Sequence, residues 1–143
     1  LQGAEVIVWY GRGDLTFEEQ GKTLRFVSNG TVIGSISGAT MTWVDVNKDG
    51  LTDVLLSFGA RYDLFTNRGD AFHRVDVPAL RRVPTAAGRP TPIDLLGSGQ
   101  TELFYRDGAA AYRIALDEPG TSLLATAHDG RGSRLTFHYG RGP

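Results

Sequence analysis

Three features predict an all-β fold for this chain of 143 residues. Nineteen glycines punctuate it. Its apolar residues fall in short runs rich in β-branched and aromatic types, each bounded by Gly, Asn, Asp or Ser. No segment repeats its apolar residues with the period of an amphipathic helix over two or more turns. The length suits one ordinary domain.

In chain order, Ala4-Glu5-Val6-Ile7-Val8-Trp9-Tyr10 reads as a strand ended by Gly11-Arg12-Gly13-Asp14, and Leu15-Thr16-Phe17 resumes in β fashion. Leu24-Arg25-Phe26-Val27 and Thr31-Val32-Ile33 flank Ser28-Asn29-Gly30. That is a hairpin signal, because Asn-Gly accepts the positive φ angles of the primed turns. Gly34 to Thr40 is small and polar, a loop leading into Met41-Thr42-Trp43-Val44. Val54-Leu55-Leu56-Ser57-Phe58 follows, then a turn at Gly59-Ala60 and a strand at Tyr62-Asp63-Leu64-Phe65. Asn67-Arg68-Gly69-Asp70 turns the chain into Ala71-Phe72-His73-Arg74-Val75. Pro78 to Pro92 is proline-rich and basic, and reads as an exposed connection.

Between the strands at Met41 and Val54 lies Asp45-Val46-Asn47-Lys48-Asp49-Gly50-Leu51-Thr52-Asp53. Side-chain oxygens fall at its first, third, fifth and ninth positions, and a glycine at its sixth. Calcium takes about six to eight oxygens at roughly 2.3–2.6 Å, so the backbone holding it must curl tightly. Gly50 tolerates the left-handed dihedrals of such a curl. Asp45, Asn47, Asp49 and Asp53 are the expected side-chain ligands, and Leu51 would contribute its carbonyl. Asn, Asp and Gly are also ordinary turn residues. Against a plain turn, unit charges about 4 Å apart repel by about 1 kcal/mol even in water. An EF-hand would end in a glutamate at position twelve, where this chain has Leu56, and would sit between helices. The expectation is therefore a calcium loop closing a β-hairpin.

The pattern recurs. Ile93-Asp94-Leu95-Leu96-Gly97-Ser98-Gly99-Gln100-Thr101-Glu102-Leu103-Phe104 superposes on the loop region, with Asp94 on Asp45, Gly99 on Gly50 and Glu102 on Asp53. Leu96 and Ser98 replace two of the strongest ligands, so this copy is expected to keep the hairpin without the ion, and Glu102→Gln to be nearly silent. Trp9 to Phe17 likewise matches Phe65 to Phe72. Units of about fifty residues, each of several strands, suit the blades of a β-propeller. Two to three blades are expected: 1–36 as the end of one blade with connecting strands, 37–83 as the calcium-loop blade, 84–121 as a degenerate blade and 122–143 as a following hairpin.

These residues carry a family resemblance. Trp43 to Phe72, an aspartate loop, a strand and then Asn-x-Gly-x-x-Phe, resembles a VCBS/FG-GAP repeat of the integrin-α-like β-propellers. Ser122 to Tyr139 looks like the hairpin that follows the propeller in the B components of toxin complexes and in Rhs-type and SpvB-like toxins. The resemblance implies a non-catalytic docking module, secreted, whose partners are other parts of the parent toxin or a partner toxin subunit. A free-standing module that recognises a glycan or a cell-surface protein is the alternative. The chain opens on Leu1 and is expected to be a piece of a longer protein.

Composition narrows the function classes. A net charge of −1 offers no general attraction for nucleic acid or an anionic membrane. No apolar run approaches the ~20 residues of a membrane-spanning helix, so direct insertion is not expected. The chain has no cysteine, which excludes disulfides and thiol chemistry. His73, His128 and His138 are not in metalloprotease spacing, and Ser57, Ser98 and Ser133 lack a nucleophile elbow. No acid, base and nucleophile constellation can be assembled, so an enzyme is not expected. Arg12-Gly13-Asp14 and Arg68-Gly69-Asp70 spell the integrin-ligand tripeptide, yet they sit where the fold needs a turn. Trp9, Trp43, Phe58, Phe65 and Phe72 are read as core between blades.

Overall fold

A computed structural model describes residues 4–59, 61–83, 90–95 and 100–116, with two short strands at 126–128 and 134–136. Twelve strands are formed among the described residues: β1 (Glu5–Val8), β2 (Lys22–Ser28), β3 (Thr31–Val32), β4 (Thr40–Val44), β5 (Asp53–Ser57), β6 (Tyr62–Asn67), β7 (Phe72–Val75), β8 (Thr91–Ile93), β9 (Glu102–Asp107), β10 (Ala110–Ala115), β11 (Thr126–His128) and β12 (Arg134–Thr136). The described residues include one short 3-10 helix, Pro78–Arg82, and no α-helix. The chain is all-β, as the sequence predicts.

The first seven strands make one curled sheet in the order β1-β2-β7-β6-β5-β4, with β3 beside β2. β4 to β7 form an antiparallel meander, and β7 then pairs in parallel with β2, Phe26 facing Phe72. A second sheet runs β10-β9-β8, and β11 pairs with β12. The β2–β3 turn takes the form that Asn-Gly predicts. Ser28 faces Thr31, and Asn29 and Gly30 lie at φ 50° and 76°. Primed turns demand positive φ at both central residues, which other side chains resist.

Both faces of the meander are covered, so β5 and β6 are buried along almost their whole length rather than at alternate residues. On one face Val54, Leu56, Phe65 and Phe72 pack with Ala4, Leu24 and Phe26. Phe26 meets Phe65 edge-on at 5.2 Å and stacks on Phe72 at 5.0 Å. On the other face Val44, Val46, Leu55, Tyr62 and Leu64 pack against Leu103, Tyr105, Ile114 and Leu116 of the second sheet. Burying one such side chain contributes about 1.5–3 kcal/mol.

The pairing register fixes where the loops lie. Val44 faces Asp53 and Val54 faces Phe65. In the second sheet Ile93 faces Glu102 and Leu103 faces Ile114. Each three-stranded meander thus opens on a hairpin whose second strand begins with an acid.

Three sequence expectations need correction. The basic, proline-rich connection is not simply exposed: its 3-10 turn inserts Leu80 into the core between Val77 and Val83, all buried. Trp9 and Trp43 are not core, being 51% and 46% exposed at the margins of the curled sheet. Leu15-Thr16-Phe17 does not resume a strand. It closes a turn through a single bridge from Gly11 to Phe17, with the Arg12 amide donating to the Thr16 carbonyl at 2.9 Å.

Candidate metal centre

The loop of residues 45–52 leaves β4 at Val44 and returns at Asp53, directly opposite. Its curl depends on two left-handed residues, Lys48 at φ 60° and Gly50 at φ 85°. A lysine in that region is uncommon, and local hydrogen bonds hold it there. The Gly50 amide donates to Asp45 Oδ2 at 3.1 Å, the Asp49 amide to Asn47 Oδ1 at 3.2 Å and the Leu51 amide to Asp49 Oδ1 at 2.8 Å. Asn47 Nδ2 donates to Asp49 Oδ2 at 2.8 Å. Asp and Asn side chains take up such Asx turns because they reach backbone amides two residues on.

Asp53 is different in kind. Its residue is 0% exposed, and its two oxygens accept from separate backbone amides, Val46 to Oδ2 at 2.9 Å and Asn67 to Oδ1 at 2.8 Å. Asn67 returns the link by donating from Nδ2 to the Thr52 carbonyl at 3.3 Å. One carboxylate therefore ties the start of the loop, its own strand and the end of β6. Burial pushes the Asp53 carboxyl up from an ordinary 3.8 to about 6, against the two amide bonds that lower it, and the charges of Asp49 and Asp45 add to the rise.

Sequence reasoning thus brings Asp45, Asn47 and Asp49 together in one turn and sets Asp53 at its base. Leu51 follows the Gly50 bend, half-buried. Asp45 Oδ1 is buried with no hydrogen-bond partner. Among the described residues no group of three or more His, Asp or Glu side chains is gathered as tightly as a bound metal requires. The carboxylates here face backbone amides.

Two participants escaped the sequence reading. Asn67 belongs to the Asn-x-Gly turn motif, where its side chain also accepts the Gly69 amide at 2.9 Å, so its second task at Asp53 left no separate signal. Thr101, buried before β9, donates its hydroxyl to the Asp45 carbonyl at 3.1 Å and couples the second sheet to the loop. Beside that contact a crevice of about 240 Å³ is lined by Asp45, Lys48, Pro92, Ile93, Asp94 and Thr101.

In the second hairpin, residues 96–99, with Ser98 and Gly99, lie outside the described residues. Its closing acid departs from expectation. Glu102 is 3% exposed, and its Oε1 accepts from Arg113 Nη1 on β10 at 2.6 Å. The expectation that Glu102→Gln is nearly silent considered only the ion and overlooked this cross-strand pair. No family model, curated protein or solved structure matches this chain.

Proposed function

We propose that this chain is a non-catalytic segment of a β-propeller, stabilised by calcium at the Asp45–Asp53 loop, that serves protein–protein docking within a large secreted bacterial toxin-like protein. The observation that carries the metal reading is a self-repelling set of carboxylates in a tight β-hairpin loop, with Asp53 buried at its base and no cationic side chain bonded to the set among the described residues. The donor chemistry suits a hard cation, although the carboxylates would have to turn from their amides and draw together to bind one. The donors are all oxygen and mostly anionic, the curl is present, and the buried Asp45 Oδ1 has a free lone pair. Asp45, Asn47, Asp49, the Leu51 carbonyl and Asp53 would hold the ion. Its charge would offset the burial, and the smaller repulsion from Asp49 and Asp45, that raise the Asp53 carboxyl. The chain's own residues do the rest: Asp53 transmits order in the loop to β6 through the Asn67 amide, and Thr101 transmits it to the second sheet.

The blade reading draws support from the matched registers of β4-β5-β6 and β8-β9-β10, from the face-to-face packing of the two meanders and from the contact between their first strands, β4 and β8. The toxin parent rests on the resemblance of the C-terminal hairpin, whose strands β11 and β12 pair Thr126 with Thr136. The exposed Trp9, Phe17 and Trp43 favour the second reading, recognition of a glycan. Saturable glycan binding lost in a Trp9→Ala, Trp43→Ala double variant would select it.

Melting curves of the whole chain in EGTA and across a calcium series test the metal. A rise in Tm that saturates near millimolar calcium, absent in Asp49→Ala, is the expected result. Identical curves with chelator and with calcium would refute the reading.

A further inference from the structure

A cleft unconnected with the acidic loop opens where the end of the 3-10 helix meets β6 and β7. It has a volume of about 410 Å³, with Arg61, Arg74 and Arg81 around it and Tyr62, Leu80 and Val83 supplying apolar wall. We propose that this cleft binds the oxyanion group, carboxylate or phosphate, of a small ligand.

The cleft is built around a buried acid. The Asp63 side chain is only 7% exposed and divides its two oxygens between two guanidiniums. Oδ1 accepts from Arg74 Nε at 3.2 Å and Nη2 at 2.8 Å, while Oδ2 pairs with Arg61 Nε at 2.9 Å. One negative charge shared by two positive ones leaves the trio with a net charge of +1. Each guanidinium carries five N–H donors in a fixed plane, so Asp63 orients both forks and consumes only part of their capacity. Arg61 is further steadied by lying over the Phe58 ring at 4.9 Å. Planar guanidiniums held by other groups are well suited to bidentate recognition of carboxylate or phosphate.

Arg81 completes the rim and is held differently. Its Nη2 donates to both oxygens of Asp76, at 2.7 and 2.8 Å, with both side chains well exposed. An exposed pair of this kind contributes little to stability, so an incoming oxyanion can replace Asp76 at small cost. The apolar wall then covers the body of the ligand. Arg74, bonded twice to the buried Asp63, is the most firmly held element of the site, Arg61 shares that acid from a largely exposed position, and Arg81 is the exchangeable one.

The test is a titration of the Arg Nε–Hε resonances of the whole chain, at constant ionic strength, with inorganic phosphate in one arm and benzoate in the other. Saturable shifts at Arg61, Arg74 and Arg81 are expected, with dissociation constants of about millimolar. Arg81→Gln should weaken binding about tenfold without lowering Tm. Tighter phosphate binding would point to a phosphorylated ligand, and tighter benzoate binding to a carboxylate on an apolar body. Linear shifts in both arms, or an affinity unchanged in both Arg81→Gln and Arg61→Gln, would overturn the proposal. Because the Asp45–Asp53 loop takes no part, calcium should leave these affinities unaltered.

Discussion

The two acid-closed hairpins share a register but treat their acids in opposite ways. Val44 faces Asp53 as Ile93 faces Glu102, and each acid stands at the first position of the second strand. Asp53 takes two backbone amides, Val46 of the loop and Asn67 at the end of β6. Glu102, one methylene longer, reaches across to Arg113. The first hairpin therefore gathers negative charge that only amide dipoles offset, and its carboxyl is raised. The second is neutralised by a side chain of its own sheet. Position in the register decides that an acid closes the hairpin, and what faces it, backbone amides or an arginine, decides whether it braces the backbone or forms an ion pair. Any dependence on an external cation should belong to the first hairpin alone.

The largest test of this contrast removes each acid in turn. Asp53→Ala strands two buried amides and should cost about 3–5 kcal/mol in guanidinium unfolding. Glu102→Gln keeps the shape and leaves the half-exposed Arg113 to water, so about 1–2 kcal/mol is expected. Equal losses would break the comparison.

Next comes pH. The folded Asp53 carboxyl titrates near 6 against 3.8 ordinarily, so the folded state holds its proton more tightly. The contribution is fully present below pH 3.8 and is lost as pH rises through 6. In EGTA, unfolding free energy should fall by on the order of 1–3 kcal/mol across that window. Asp53→Asn should remove that slope. A profile that is the same in wild type and variant would place the titration elsewhere.

Smaller again is the effect of the ion. Calcium at about tenfold excess over its dissociation constant should add about 1.4 kcal/mol, and Asp49→Ala should abolish the gain while Glu102→Gln retains it. Loss of the gain in both variants would show that the two hairpins are not independent.

What the sequence disclosed and what it hid divide along physical lines. Local signals were legible: Asn29-Gly30 specified its primed turn, and the spacing of Asp45 to Asp53 specified a curled hairpin loop. Contacts between distant segments were not. Nothing near Phe26 or Phe72 announces the parallel pairing of β2 with β7, because each strand mixes apolar and polar residues as any half-covered strand does and names no partner. Leu80 stands alone among Pro78, Arg81 and Arg82, so no periodicity marked it as core. Hydrophobicity alone points Trp9 and Trp43 to the core, but the margin of the sheet leaves both side chains about half exposed. The Glu102–Arg113 and Asp63–Arg74 pairs depend on cross-strand register, which emerges only once the meanders are assembled.

The subtlest comparison sets Gly50 against Gly30. Both lie at positive φ, 85° and 76°, and an added Cβ would meet no atom within 4 Å at either. Alanine at each should therefore cost only backbone strain, about 1 kcal/mol, with no steric term to separate them. In EGTA the two variants should melt together. Calcium should part them, because the amide of Gly50 bonds Asp45 Oδ2 and a relaxed bend there would draw that carboxylate out of the curl. The Asn29-Gly30 turn holds no carboxylate, so Gly30→Ala should keep the full calcium response while Gly50→Ala loses part of it. If both respond to calcium like the wild type, the curl at Gly50 serves the hairpin alone, and the ion, where it binds, does not depend on it.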